Sequence, residues 1–404
     1  MKKRTIASID VGTTKVCTTM AEINDGGAMR VVGVGIAQSL GLHKGLVVNI
    51  NEARESIRES VRKAEQASNY KVESAYIGVT GRHVTSMNNR GVVAITRNDR
   101  VVRSDDLRRV LASAQSIKVP GDRKLLHVIP RSYAVDGQAG VRNPVGMHGF
   151  RLDVETHVIT AAVTSIQNLV KCIRSIGVDI EDLVLEPLAS SEAVLTEDEK
   201  QVGVILADIG GGTTDMAVFK DGSIWHTSIL PVAGYQLTRD ISIGLGLPFD
   251  VAEEMKKRYG SVMPVYESRN DANTAISQDG HGVSYQDLCD IVRARVEEIM
   301  KLLLLELPNS EYETLVPAGV VFTGGSSNLS GMATLGREVL QLPVRIGAPA
   351  SMYGISDTLC DPAYATSVGL LLWGSKHEGS RSWQSWGFGN VVRRLALRIK
   401  DLFH

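Results

Sequence analysis

Two short phrases, about half the chain apart, carry residues that could do chemistry together. The first is Ile6-Ala7-Ser8-Ile9-Asp10-Val11-Gly12-Thr13-Thr14-Lys15, and the second is Val204-Ile205-Leu206-Ala207-Asp208-Ile209-Gly210-Gly211-Gly212-Thr213-Thr214-Asp215. Each is an apolar run that reaches an Asp, turns through Gly, presents two Thr and resumes as apolar chain. Glycine lets a backbone approach an anion closely, and free turn N–H groups with Thr hydroxyls donate to phosphate oxygens. Asp10 and Asp208 then stand where a hydrated Mg2+ carried by those phosphates would lie, holding it through water. The expected phosphate contacts are Gly12, Thr13, Thr14 and Lys15 from one phrase and Gly210, Gly211, Gly212, Thr213 and Thr214 from the other. The apolar chain resumes too soon for a helix, so each phrase predicts a β-hairpin. One hairpin per half predicts a two-lobed clamp closing on a nucleoside triphosphate.

Other side chains add to this reading, each with an ordinary alternative. Gly324-Gly325-Ser326 follows an apolar strand, and bare backbone there makes a bed for adenosine, although a lone Gly-Gly is also a common turn. Glu253, Lys256 and Lys257 share one helix face, either as a surface ion pair or as a grip on ribose and base. Glu186 is either a helix-terminal charge or the carboxylate that positions a water for hydrolysis. Slow turnover would fit such a site, because phosphoryl transfer depends mainly on positioning and metal electrostatics.

The elements that must position these residues belong to a chain of 404 residues, long enough for about two or more domains. Apolar content of 43% and charged content of 22% are ordinary for a globular protein, and a net charge of −1 gives no pull toward nucleic acid. The four cysteines (Cys17, Cys172, Cys289, Cys360) form no metal-binding spacing, which fits a reduced compartment without structural zinc. The basic start lacks a signal-peptide core, and no apolar run approaches the roughly 20 residues of a membrane span. Hydropathy and Gly/Pro punctuation predict strands at 29–36 and 76–80 and a helix over 51–67. Between 81 and 160 the texture changes to a compact α+β insert, with short strands at 91–96 and 126–133. A strand at 157–163 then resumes the first lobe. Mainly helical chain follows over 231–307, broken by a polar loop at 266–284. A last helix over 364–373 precedes a polar linker that begins at 374.

The terminus carries the second sharp signal. Phe388, Val391, Val392, Leu395, Ile399, Leu402 and Phe403 recur at helical spacing, with Leu397 the apolar misfit. Arg393, Arg394, Arg398 and Lys400, less Asp401, leave a local charge of +3, and Trp383 and Trp386 stand just before. Large moment, basic face and nearby Trp are what an interfacial membrane helix needs; the alternative is a helix docked on the body. Each basic residue near anionic lipid contributes about 1 kcal/mol. Each half-buried large apolar side chain adds roughly as much. One copy would bind reversibly, and a polymer of many copies would hold by avidity.

With these motifs in hand, the chain resembles the actin-like ATPase superfamily and, within it, the bacterial FtsA family of cell-division proteins. Asp10 to Lys15 resembles that superfamily's first phosphate loop and Asp208 to Asp215 its second. Residues 186–193 and 364–373 resemble its connecting helices, and 323–327 its adenosine motif. Gly41-Leu42-His43-Lys44-Gly45, Asp153-Val154-Glu155-Thr156-His157-Val158, the insert and the terminus point to the FtsA family. The resemblance implies an α/β, two-lobed actin-like (ribonuclease H-like) fold with an FtsA-type 1C subdomain as the insert. It divides the chain into a lobe 1 core at 1–80, 161–200 and 345–374, the 1C insert at 81–160, and a lobe 2 core at 201–227 and 309–344. Subdomain 2B takes 228–308, a linker 375–387 and a membrane-targeting helix 388–404. It further implies ATP and Mg2+ binding with weak ATPase activity at most. The implied role is assembly into filaments on anionic lipid, as a peripheral protein at the cytoplasmic face of the membrane at the division site. Implied partners are the C-terminal tail of FtsZ, captured on 2B, other copies of the chain, and other division proteins through the insert. Arg295 resembles the tail-contacting basic position, with a solvated helix charge as its alternative. Two rivals share the superfamily: a PilM-like ATPase of type IV pilus assembly, which lacks the basic terminal helix, and a small-molecule kinase, which needs a substrate pocket. A DnaK-type chaperone fits less well, since no substrate-binding β domain follows.

Overall fold

A computed structural model of the chain describes residues 4–24, 27–264, 275–278, 281–307, 315–350, 353–354 and 357–377. Two sheets repeat one plan. In lobe 1, Arg4–Val11, Lys15–Ile23 and Met29–Gln38 form an antiparallel meander, and Ser74–Val79 and Asp179–Leu185 add in parallel on the far side of Arg4–Val11. In lobe 2, Val204–Ile209, Thr214–Lys220 and Ser223–Leu230 form the meander, and Val320–Thr323 and Val344–Ile346 add in parallel. The predicted hairpins are therefore present, and they share one register: Val11 pairs with Val16 and Ile209 with Thr214. Val204–Ile209 is buried at every position. Chain covered on both faces needs such a continuous apolar run instead of alternation.

Two helices, Glu186–Val194 and Ala365–Lys376, pass behind the hairpins. They cross at backbone contact, because Gly369 stands where a Cβ would lie 1.9 Å from the Ala189 carbonyl oxygen. That crossing brings short hydroxyl side chains from both helices to the sheet ends.

The insert is a four-stranded antiparallel sheet in the order Val84–Ala94, Arg151–Ala162, Arg123–Val135, Gln138–Val141. The helix Ser104–Gln115 covers it over a separate core that includes Ile95, Leu107, Leu111, Tyr133 and Leu152. Its first strand also meets lobe 2. Ser86 Oγ donates to the Thr227 carbonyl at 2.8 Å, and Asn88 Nδ2 to the Trp225 carbonyl at 3.4 Å. Alternate insert residues thus cap alternate carbonyls of lobe 2's edge strand. His157, 1% exposed, completes this seam with Nδ1 2.7 Å from Asn88 Oδ1 and Nε2 2.9 Å from Thr227 Oγ1.

Several expected boundaries move. The strand expected at 157–163 is the end of Arg151–Ala162, a central strand of the insert that runs through the boundary at 160/161. The short strand expected at 91–96 begins at Val84. Ser223–Leu230 crosses the boundary at 227/228, and Val344–Ile346 crosses the one at 344/345; both belong to the lobe 2 sheet. The polar loop at 266–284 contains a hairpin, Ala275–Gln278 with His281–Ser284. The last helix reaches Lys376, so the first residues of the expected linker are helical. The rest of the linker and the helix expected at 388–404 lie outside the described residues, and so do Trp383 and Trp386.

Candidate functional site

The hairpin turns touch. A Cβ on Gly211 would lie 2.4 Å from Thr14 Cγ2, and one on Gly212 would lie 2.4 Å from Thr13 Oγ1. Only glycine lets the second turn sit this close to the first. Gly12 has a different reason, since a Cβ there would lie 2.8 Å from the Lys15 carbonyl oxygen across its own turn. Asp10 and Asp208 are the penultimate residues of the two inner strands, and the charge of Asp208 acts on Asp10. Ser367 Oγ donates to Asp10 Oδ2 at 2.9 Å. Ser190 Oγ and Thr366 Oγ1 donate to Asp208 Oδ2 at 2.5 and 3.1 Å.

Two further carboxylates join them. Asp215 lies opposite Asp208 in the hairpin register and accepts from Thr213 Oγ1 at 3.1 Å and from Thr80 Oγ1 of lobe 1. Glu186 is 7% exposed, and its Oε1 has no hydrogen-bond partner. Burial is the main influence on all four, and it disfavours the charged form. Burial pushes Asp10 up to about 6, against the opposing pull of Lys15 and Ser367, with Asp208 pushing the same way. It pushes Asp215 up to about 7, helped by the charges of Asp208 and Asp10. Asp208 is raised, and Glu186 is raised well above the carboxylate range by burial and then by Asp10, Asp215 and Asp208. Glu186 also borders a cavity of about 20 Å³ lined by Val11, Gly78, Thr80 and His83. The Lys15 ammonium donates to the Ala363 carbonyl at 2.7 Å and lies 4.5 Å above the Tyr364 ring.

The remaining nominated residues divide. Ser326 Oγ donates to the Gly210 carbonyl at 2.9 Å, and Gly324, at φ 85°, presses its Cα on Asp208, where a Cβ would lie 2.3 Å from Oδ1. Gly325 sits in the same turn, beside Ala363. Lys256 Nζ donates to the Gly234 carbonyl at 3.1 Å and to Glu253 at 2.6 Å, and the Gly234 N–H donates to the Gly210 carbonyl at 3.1 Å. The expected adenosine residues are thus wired to the second turn. Lys257 is half-exposed and pairs with Glu253 and Glu254. Arg295, away from this cluster, pairs with Asp240 at 2.5 Å and with Glu298. Sequence reasoning missed Thr80, Ser190, Asp215, Thr366 and Ser367 as site residues. Asp215 was readable as the acid closing the second phrase; the others are short hydroxyls that only the helix crossing and the neighbouring strand bring in. Near the cleft, His43 of lobe 1 meets Tyr235 of lobe 2 edge-on at 5.5 Å.

Among the described residues no helix is long and apolar enough to cross a membrane.

Residues 205–369 match the family model described as "Cell division protein FtsA", and residues 81–160 match "SHS2 domain inserted in FTSA". The cell division protein FtsA of Pseudomonas aeruginosa is 42% identical over 91% of this chain and 89% of its own. That of Neisseria meningitidis is 40% identical over 100% of this chain and 99% of its own. Among solved structures, a PilM–PilN type IV pilus biogenesis complex aligns at a TM-score of 0.65 and 17% identity, covering 92% of this chain and 98% of its own. MreB5 of Spiroplasma citri bound to ADP aligns at 0.55 and 14%, covering 95% and 99%. These likenesses show an actin-like α/β fold.

Proposed function

The chain belongs to the FtsA family of cell division proteins, and on that premise we propose that it is an ATP-controlled membrane tether for division filaments. Mg2+ and ATP would be held between the twin hairpins. The observation that carries this reading is the contact of the two glycine turns at Gly211 and Gly212 with Thr14 and Thr13, beside four buried carboxylates. The residues fit the ligand: the second turn is bare glycine from Gly210 to Gly212, burial holds the carboxylates above their ordinary range, and one Glu186 oxygen is unpartnered. Gly12, Thr13, Thr14, Lys15 and Gly210 to Thr214 would bind phosphate. Gly324, Gly325, Ser326, Glu253, Lys256 and Lys257 would bind adenosine, and Asp10 and Asp208 would orient the metal's waters. Bound Mg2+ would neutralise phosphate charge, while Glu186 would orient a water for slow hydrolysis.

ATP would control polymerisation more than it drives chemistry. The amphipathic stripe from Phe388 to Phe403 with its basic face supports peripheral attachment to anionic lipid at the cytoplasmic face of the membrane. Subdomain 2B, with Arg295, would take the FtsZ tail, and the insert would meet other division proteins. The pilus reading has only fold-level likeness behind it. Replacing Asp208 with Ala should abolish Mg·ATP binding measured by titration calorimetry; unchanged affinity in the folded variant refutes the site assignment.

A further inference from the structure

The cavity beside Glu186 has a second polar wall that the proposed function leaves unused. About 20 Å³ in volume, it is bordered by Val11, Gly45, Gly78, Thr80, Glu186 and His83. That is room for about one water, which needs at least two polar partners to stay. Glu186 Oε1 and both ring nitrogens of His83 are buried without hydrogen-bond partners. Leaving such groups unsatisfied is costly, whereas one shared water satisfies a group on each wall.

We propose that His83 is a positioning residue for Glu186, acting through a water held in the cavity that the two side chains share. This rests on the reading of Glu186 as the residue that orients the hydrolytic water. A neutral imidazole offers one donor and one acceptor, so it can hold the cavity water in a single orientation and leave the outer face of Glu186 to the reacting water. Burial and the nearby Arg123 charge push His83 down to about 4, so the ring is neutral at physiological pH. The same residue is anchored in the insert. Its carbonyl accepts from the Ala162 N–H at 3.2 Å and from Arg123 Nη2 at 3.0 Å, at the root where the insert strands leave lobe 1. A shift of the insert would therefore move the His83 ring against Glu186.

The test uses the full chain with His83→Leu, His83→Gln and Glu186→Gln, comparing single-turnover ATP hydrolysis with ATP affinity by calorimetry. His83→Leu should slow hydrolysis about tenfold and leave affinity unchanged, the effect of losing one hydrogen bond in the support that holds Glu186 in place. His83→Gln, which keeps a donor and an acceptor, should recover to within roughly threefold of the parent. Hydrolysis by His83→Leu at the parent rate, or equal losses in both His83 variants, overturns the proposal. If Glu186→Gln hydrolyses normally, it is the role of Glu186 that fails. A crystal structure that resolves waters gives a second measure. An ordered water touching both side chains supports the assignment, and a dry cavity, or a water that does not reach His83, overturns it whatever the turnover.

Discussion

Replacing Asp10 with Asn should stabilise the empty protein while abolishing its response to nucleotide. Asp10 is 7% exposed, and burial raises its carboxyl from 3.8 to about 6. A carboxyl held more basic in the folded state binds its proton more tightly there, so ionising it opposes folding as pH rises from 3.8, fully above about 6. At about 1.4 kcal/mol per tenfold difference in proton affinity, the opposition comes to roughly 3 kcal/mol at pH 7.5 and about half of that at pH 5. Asparagine keeps the shape and still accepts the hydroxyl of Ser367. Some of the gain is lost to imperfect hydrogen bonding, leaving about 1–3 kcal/mol. In thermal denaturation at pH 7.5 this should appear as a rise of about 1–4 °C, shrinking toward pH 5. The parent should gain about 2.7 kcal/mol from Mg·ATP at a hundredfold excess over its dissociation constant, and the variant should gain almost nothing. A variant less stable than its parent when empty, or one still stabilised by Mg·ATP, refutes the electrostatic reading of the site.

Other perturbations separate fold, seam and tether. Changing Leu395 and Ile399 together to Glu should release the protein from anionic vesicles in flotation assays without altering ATP affinity; retention on lipid would place the tether elsewhere. Gly324→Ala meets both a left-handed backbone, φ 85°, and backbone atoms of Ile209 within 2.7 Å, and should cost about 2–5 kcal/mol in denaturant titration; a loss under 1 kcal/mol contradicts the packing around Asp208. His157 is pushed down to about 3 by burial, with His226 and Arg131 acting in the same direction. Because the unfolded chain takes up the proton first, stability should be complete above about pH 6.5 and fall as pH drops toward 3, by at most roughly 5 kcal/mol. His157→Gln should flatten that acid limb in melting curves taken across pH, and an unchanged limb would mean other groups control it.

The hairpins were legible because their causes are local: an apolar, β-branched run, a glycine turn, and a second apolar run too close for a helix. Their meeting could be anticipated only from the repetition of the phrase. The hydroxyls that hold the carboxylates were not legible, since Ser190, Thr366 and Ser367 look like ordinary small residues in helices. What selects them is the crossing of Glu186–Val194 and Ala365–Lys376, closed at Gly369 against Ala189, and that is a three-dimensional fact. The apolar pattern of Arg151–Ala162 shows only from 157, because Asp153, Glu155 and Thr156 interrupt it. In the fold Asp153 is paired with Arg90 and Arg151, and His157 is spent on the seam with lobe 2. The hairpin within 266–284 carries too little apolar pattern to be seen. His83 has no sequence signal at all, because its significance is a cavity wall.

The duplicated architecture also differs at one informative position. Asp10 faces Cys17 across its hairpin, whereas Asp208 faces Asp215 at the equivalent register. Burial pushes the Cys17 thiol up to about 12, so it stays neutral. Lobe 1 therefore brings one hairpin carboxylate and lobe 2 brings two, with Glu186 from the connecting helix facing both. Lys15 is the cation that acts on Asp10 and Asp208, and its ammonium is already engaged by the Ala363 carbonyl and the Tyr364 ring. Hydrogen bonds from Ser190, Ser367, Thr366, Thr80 and Thr213 favour the ionised acids, yet burial still prevails and holds Asp10 and Asp215 above their ordinary range. Among the described residues, burial of these acids beside one another thus opposes their ionisation even with Lys15 and the hydroxyls in place. A divalent cation arriving with a phosphate ligand would reverse that penalty, since a nearby positive charge lowers carboxyl pKa values.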